Sequence, residues 1–262
     1  MRGSRRRARA SPRGNAGSGR NRAALAGFCP VRRRRKGSTD IEQTAVTLDA
    51  LTARGDVRQF VESANHALRA MGYTEHGERH VRLVAAVARR VLLELDYPER
   101  DADLAEIAGY LHDIGNIAGR SHHGQTSALL AFPILREEGM SAQEIAVVLG
   151  AIGNHEEEYG EAISPVSAAL ILADKSDVHK SRVQTEDPAQ YDVHDRVNAA
   201  VQRSELVVEK DARLIVLELD IDESITPMDY FEIFLTRMVM CRRAAEILQC
   251  RFSLTANGQR LL

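Results

Sequence analysis

Apolar residues recur every three or four positions through most of the chain up to about residue 203, which predicts a succession of amphipathic helices. Val57, Phe60, Val61, Ala64 and Leu68 mark one helix, with Asp56 placed to cap it. Leu83, Val84, Val87, Val91, Leu92 and Leu95 mark a second, ended near Pro98. Leu104, Ile107, Ala108 and Leu111 mark a third, which runs into His112-Asp113 and stops at Gly115. A fourth is expected from about Gly124 to Gly139. Ser141 and Glu144 form a capping-box pattern opening a fifth, which leads to His155. Ser164-Pro165, Asp187-Pro188 and Thr226-Pro227 each set an N-cap residue before a first-turn proline. The pattern changes after about Ser204, where 205–208 and 214–219 read as short strands around a Lys210-Asp211 turn. A helix over roughly 228–249 follows, with Tyr230, Phe231, Phe234, Leu235, Met238 and Leu248 expected in the core. The segments 251–255 and 259–262 flank Asn257-Gly258, a strong hairpin signal. The fold class is mainly α: a helical domain over 38–204 with a small α+β appendage over 205–262. The appendage's strands are a candidate surface for a homodimer.

Composition adds three constraints. Hydrophobic residues make up 44% of the 262, enough for a proper core, and no apolar run nears the roughly 18 residues of a membrane helix. Residues 1–36 hold 13 Lys and Arg and no acid, leaving 22 basic against 37 acidic groups over 37–262. The folded part is therefore acidic, which argues against a broad nucleic-acid-binding surface there. Like-charge repulsion is expected to keep 1–37 an extended, solvated arm. Cys29, Cys241 and Cys250 share no CxxC spacing, which points to a reducing, cytoplasmic setting without disulfides or a Cys-based zinc site.

The chemistry concentrates in one ordered set: His80, His112-Asp113, His123 with His122 beside it, His155 and Asp174. Adjacent side chains on a helix diverge by about 100°, so His112 and Asp113 can serve one metal ion or straddle two. Asp174 ends the apolar run 166–173, where a carboxylate is costly unless paired or bound to a cation. Asp177 follows on the same helix face and is read as supporting the ligands. Imidazole and carboxylate donors suit Mn, Fe, Co, Ni or Zn. His66, His76, His179 and His194 fall outside the pattern and are read as ordinary core or surface residues. Arg242-Arg243 is read as a solvated face, and the two C-terminal cysteines as packing residues.

These residues resemble the HD superfamily of metal-dependent phosphohydrolases. Leu111-His-Asp-Ile-Gly115 is similar to its central motif, and His80, His112, Asp113 and Asp174 stand at its four ligand places. His123 and His155 match the two histidines that dinuclear members add. The resemblance covers about 75–185. It implies a helical HD bundle, two divalent transition-metal ions on those six residues, and a small phosphate substrate such as a nucleotide. Asp113 then takes the catalytic role of bridging the ions, with an activated water as nucleophile. Lys175 and Arg120 are candidate phosphate clamps, and His122 a further substrate contact. The chain departs from the cyclic-di-GMP-cleaving HD-GYP type, because Asn154 precedes His155 and Tyr159-Gly160 lacks the expected Gly-Tyr-Pro. It also has Asn116 where many members place a lysine, a cation that Lys175 is placed to supply. Two other outcomes share the ligand order: an HD-fold di-iron oxygenase similar to myo-inositol oxygenase, and a non-catalytic nucleotide-binding sensor.

Overall fold

The computed structural model describes residues 45–261 apart from Glu186, Glu223 and Ser224. The Arg-rich arm expected over 1–37 lies outside the described residues. Helices α1 (Leu48–Ala53), α2 (Gly55–Ala70), α3 (Glu78–Glu94), α4 (Glu99–Leu111), α5 (His123–Glu137), α6 (Ala142–Gly153), α7 (Pro165–Ser176) and α8 (Val193–Ala200) build the bundle. Strands β1 (Val201–Glu209) and β2 (Leu214–Ile221), helix α9 (Pro227–Ile247) and strands β3 (Arg251–Ala256) and β4 (Gln259–Arg260) complete a mainly α fold with a small C-terminal α+β appendage.

Helix α7 is the axis of the bundle. Every residue from Val166 to Ser176 is buried, because α3, α4, α6 and α9 all pack on it. A helix apolar over most of its length belongs inside a protein, and the Ser164 side chain caps its start by accepting from the Ser167 N–H. The short link at Pro98 makes α3 and α4 antiparallel neighbours, so the start of α3 and the end of α4 lie together. Gly109 allows their close approach: a Cβ there would stand 2.7 Å from Ala85 Cα. That pairing brings His80 and His112 to one end of the bundle.

The sheet order is β1-β2-β3-β4, with β2 antiparallel to β1 and parallel to β3. Helix α9 makes the crossover that a parallel pair requires and packs on both β3 and α7. Asn257 and Gly258, at φ 49° and 76°, form the hairpin turn between β3 and β4. The Asn257 amide also ties that turn to both backbone groups of Ile221.

Several local expectations shift. Arg54, not Asp56, holds the N-cap place of α2; Asp56 sits in the first turn and pairs with Arg54 at 2.6 Å. Helix α3 begins at Glu78, so His80 lies within its first turn. Strand β1 starts at Val201, continuing directly from α8, earlier than the helical texture of the sequence indicates. Asp187-Pro188 opens only a 3-10 turn, Pro188–Gln190. Leu235 is 54% exposed and Phe231 only half-buried, because α9 covers the sheet and the bundle with a narrower stripe than its apolar spacing indicates. Tyr230, Phe234, Met238, Leu248, Cys241 and Cys250 are core, and Arg242 and Arg243 face solvent. No helix among the described residues is long and apolar enough to cross a membrane.

Candidate metal centre

Three helix C-termini, those of α4, α6 and α7, meet the start of α5 at one end of the bundle. The negative ends of their dipoles favour a cation there. His112 is the C-cap residue of α4, and His155 follows the C-cap Asn154 of α6. A helix end leaves carbonyls without intrahelical partners, and the imidazoles use them. His112 Nδ1 donates to Gly109 O at 2.7 Å, and His155 Nδ1 to Ile152 O at 2.6 Å. His123 Nδ1 donates to Arg120 O at 2.9 Å in the loop leading to α5. All three bonds reach back three residues. His80 is the exception: its Nδ1 donates to the Asp177 carboxylate at 2.7 Å, on the turn after α7.

Because a carbonyl or carboxylate oxygen only accepts, each Nδ1 carries a proton, which leaves Nε2 as the atom each ring can offer to a cation. These four Nε2 atoms converge on Asp113 and Asp174. Asp113 Oδ2 lies 3.1 Å from His112 Nε2 and 3.7 Å from His80 Nε2, while Oδ1 lies 3.2 Å from His123 Nε2 and 3.7 Å from His155 Nε2. Asp174 Oδ1 lies 3.4 Å from His80 Nε2 and 3.7 Å from His112 Nε2. His123 Nε2 and His155 Nε2 stand 3.0 Å apart, about the spacing of two nitrogens each ~2.1 Å from one ion at a right angle. His80 Nε2, His112 Nε2 and Asp113 Oδ2 are buried without a hydrogen-bond partner, the 3.1 Å contact between the last two being misaligned for one. Buried polar atoms left this way are costly, and a cation among them removes the cost. His80, His112 and Asp174 form one group able to hold a metal ion, and His112, Asp113 and His155 another.

The electrostatics agree. Burial alone would lower the pKa of His112, but Asp113 and Asp174 overturn that and push it up to about 10. The field therefore calls for positive charge at this nitrogen, proton or metal alike. Burial, opposed by Asp113 and reinforced by His112 and His123, takes His155 down to about 4, so its ring is neutral near pH 7. Burial would raise Asp113 and Asp174; their histidine partners, and Lys175 for Asp174, hold both well below the carboxylate range.

A cleft of about 470 Å³ opens beside this cluster. Lys175 lines it, with Nζ 2.6 Å from Asp174 Oδ2. Arg120 lines it too, with Nη1 3.3 Å from both Asn116 Oδ1 and His123 Nε2. His122 does not line it; exposed and left-handed at φ 58°, it stacks on Tyr159. Glu156 accepts from the Gly124 N–H at 2.6 Å and so fixes the start of α5. Asp177, besides holding His80, is gripped by Arg79 at 2.8 Å and Arg182 at 3.6 Å.

Several cleft residues escape the sequence reading, among them two histidines and two arginines. His76 is buried, its ring 5.2 Å from that of His80, and His194 lines the cleft as well. Arg182 and Arg237 are also among the lining residues. His76 stands four residues before His80, the one hint available in the sequence. Arg237 had none, since only the tertiary placement of α9 carries it to the cleft.

Residues 77–179 match the HD domain family. The uncharacterized protein MJ1020 of Methanocaldococcus jannaschii is 28% identical over 194 residues, spanning 65% of this chain and 74% of that one. The helices over 77–179, which bring His80, His112, Asp113, His123, His155 and Asp174 together, are the part of the chain that matches the HD domain family, whose members are generally metal-dependent hydrolases.

Proposed function

We propose that this protein is a metal-dependent phosphohydrolase acting on a nucleotide or related phosphate ester, with two divalent transition-metal ions on His80, His112, Asp113, His123, His155 and Asp174. The observation that carries the reading is the convergence of four Nε2 atoms on two carboxylates, with three buried polar atoms, His80 Nε2, His112 Nε2 and Asp113 Oδ2, left unbonded. The two-ion form is supported by Asp113, whose Oδ2 faces His112 and His80 while Oδ1 faces His123 and His155. When bound, such ions supply Lewis acidity toward phosphate oxygens and a water activated for attack.

The chain's own side chains do the rest. The Nδ1 bonds hold each ring in one tautomer and orientation, so the ligands need no rearrangement. Asp177 adds basicity to His80 through the Nδ1–H it accepts. Lys175 and Arg120 bring fixed positive charge to the cleft, where it binds phosphate oxygens and opposes the negative charge that develops during phosphoryl transfer. Glu156, by holding the Gly124 N–H, keeps α5 and therefore His123 in register.

The test is phosphate release from a panel of nucleotides by the full chain with Mn, Fe, Co or Mg added. His112→Ala and Asp113→Ala are expected to lose release while keeping the wild-type circular dichroism spectrum. Retained release in either variant overturns the proposal. Iron-dependent oxygen consumption without phosphate release would instead indicate oxygen chemistry.

A further inference from the structure

The cleft holds an internal anion clamped by two cations. Glu157, in the segment between α6 and α7, accepts from Arg237 Nε at 2.7 Å, and Lys175 Nζ lies 3.8 Å from the same Oε1. The same ammonium is 2.6 Å from Asp174 Oδ2, so Lys175 links the ligand cluster directly to Glu157. Arg237 is fixed in place: its guanidinium lies 4.4 Å from the ring centroid of Phe234, which is fully buried. The neighbouring Arg182 is committed elsewhere, donating to the carbonyls of Asp177 and Glu75. Glu157 keeps 25% of its side chain exposed on a non-helical segment, so it can swing out without breaking a helix.

A carboxylate seated between two cations, one ammonium away from the hydrolytic centre, occupies the place that an anionic substituent of the substrate would take. Resting on the phosphohydrolase reading, we infer that Arg237 and Lys175 form a second anion subsite. The substrate carries, beyond the group at the ligand cluster, a second anionic group, phosphoryl or carboxylate, that displaces Glu157. Arg237 comes from α9, outside 77–179, so the appendage contributes directly to recognition.

The experiment is calorimetric titration of the metal-loaded full chain with methylenediphosphonate and phosphonoacetate, which hold two anionic groups and no phosphoanhydride bond. Methylphosphonate, with one anionic group, is the control. Arg237→Gln is expected to weaken the two-anion ligands by about tenfold or more, the size of a lost charge-assisted hydrogen bond, and methylphosphonate by less than about twofold. Glu157→Gln, which removes the competing anion, is expected to tighten the two-anion ligands by about fivefold, a gain that misfolding cannot imitate. Arg237→Lys recovers part of the lost affinity. Tighter binding of methylenediphosphonate than of phosphonoacetate identifies the second group as phosphoryl, and the reverse as carboxylate. Two-anion affinities unchanged in both Arg237→Gln and Glu157→Gln overturn the subsite, even if metal-dependent phosphate release persists. Arg237-dependent binding without phosphate release from any substrate keeps the subsite and removes the hydrolase reading instead.

Discussion

Replacing Asp177 by asparagine removes one negative charge from behind His80 with almost no change of shape. In the native arrangement Asp177 Oδ2 accepts from His80 Nδ1 at 2.7 Å and from Arg79 Nη2 at 2.8 Å, and Arg182 Nη1 stands 3.6 Å away. An asparagine offers one acceptor oxygen to these three donors, and its NH2 group must face a donor. Either the ring of His80 or a guanidinium loses its partner. Partners of this kind behind a metal-binding histidine are worth about 10–100-fold in metal affinity, or about 1.4–2.7 kcal/mol. Competition titration of Mn or Zn against a chromophoric chelator measures it. An affinity in Asp177→Asn within about twofold of wild type, in a folded protein, would refute the claim that Asp177 tunes the centre through His80. The same variant has a pH signature. Burial favours a raised carboxyl pKa for Asp177, but Arg182, His80 and Arg79 drive it far below the ordinary range. The unfolded chain therefore takes up this proton first, near pH 4, while the folded chain resists it. The stability from Asp177 is fully present above about pH 4 and is lost as pH falls further. Metal-free wild type should accordingly lose more stability than Asp177→Asn between about pH 5 and pH 3, read by denaturant titration.

Two further outcomes follow from the packing and from the centre itself. Gly115→Ala would place a Cβ 2.3 Å from His123 O and 2.4 Å from Ser127 N, backbone atoms that cannot step aside. A loss of about 3 kcal/mol is expected, lowering Tm by about 6–12 °C in a scanning melt, and a shift under about 2 °C would show that the turn relaxes freely. Metal at about 100 times its Kd should stabilise wild type by about 2.7 kcal/mol through mass action. Asp113→Ala should lose that response, and an undiminished rise in its Tm would move the metal site elsewhere.

The meeting of His112, His123 and His155 was legible because each sits at a helix boundary that the sequence marks. Gly115 follows the HD pair, Gly124 follows His123, and the Ser141–Glu144 box opens the helix that delivers His155. Asp174 was legible for a different reason: a carboxylate in an apolar helical run advertises its own need for a partner. What escaped were contacts decided by packing. Arg237 reaches the cleft because α9 lies against α7, and no local pattern encodes that. His76 lies outside helix α3, so its spacing from His80 carried no reliable face. The reading of Leu235 as core failed because a helix that crosses between two strands buries only the stripe facing its neighbours. The start of β1 was misplaced because α8 passes into the strand with no turn residue between Ala200 and Val201.

Three of the four histidines are braced by the carbonyl three residues behind them, and this has a kinetic consequence. Each imidazole is aimed inside its own four-residue cassette, before any ion arrives and independently of the other two. Loading then requires no search through these side-chain conformers; what remains is release of the proton that Asp113 and Asp174 hold on His112 and the ion's shedding of its own hydration shell. Metals should enter the centre in the order of their water-exchange rates, whatever the order of their final affinities. The cell's first-arriving ion and its tightest-binding ion can therefore be different elements, and the occupant found after expression reports supply and exchange history as much as preference.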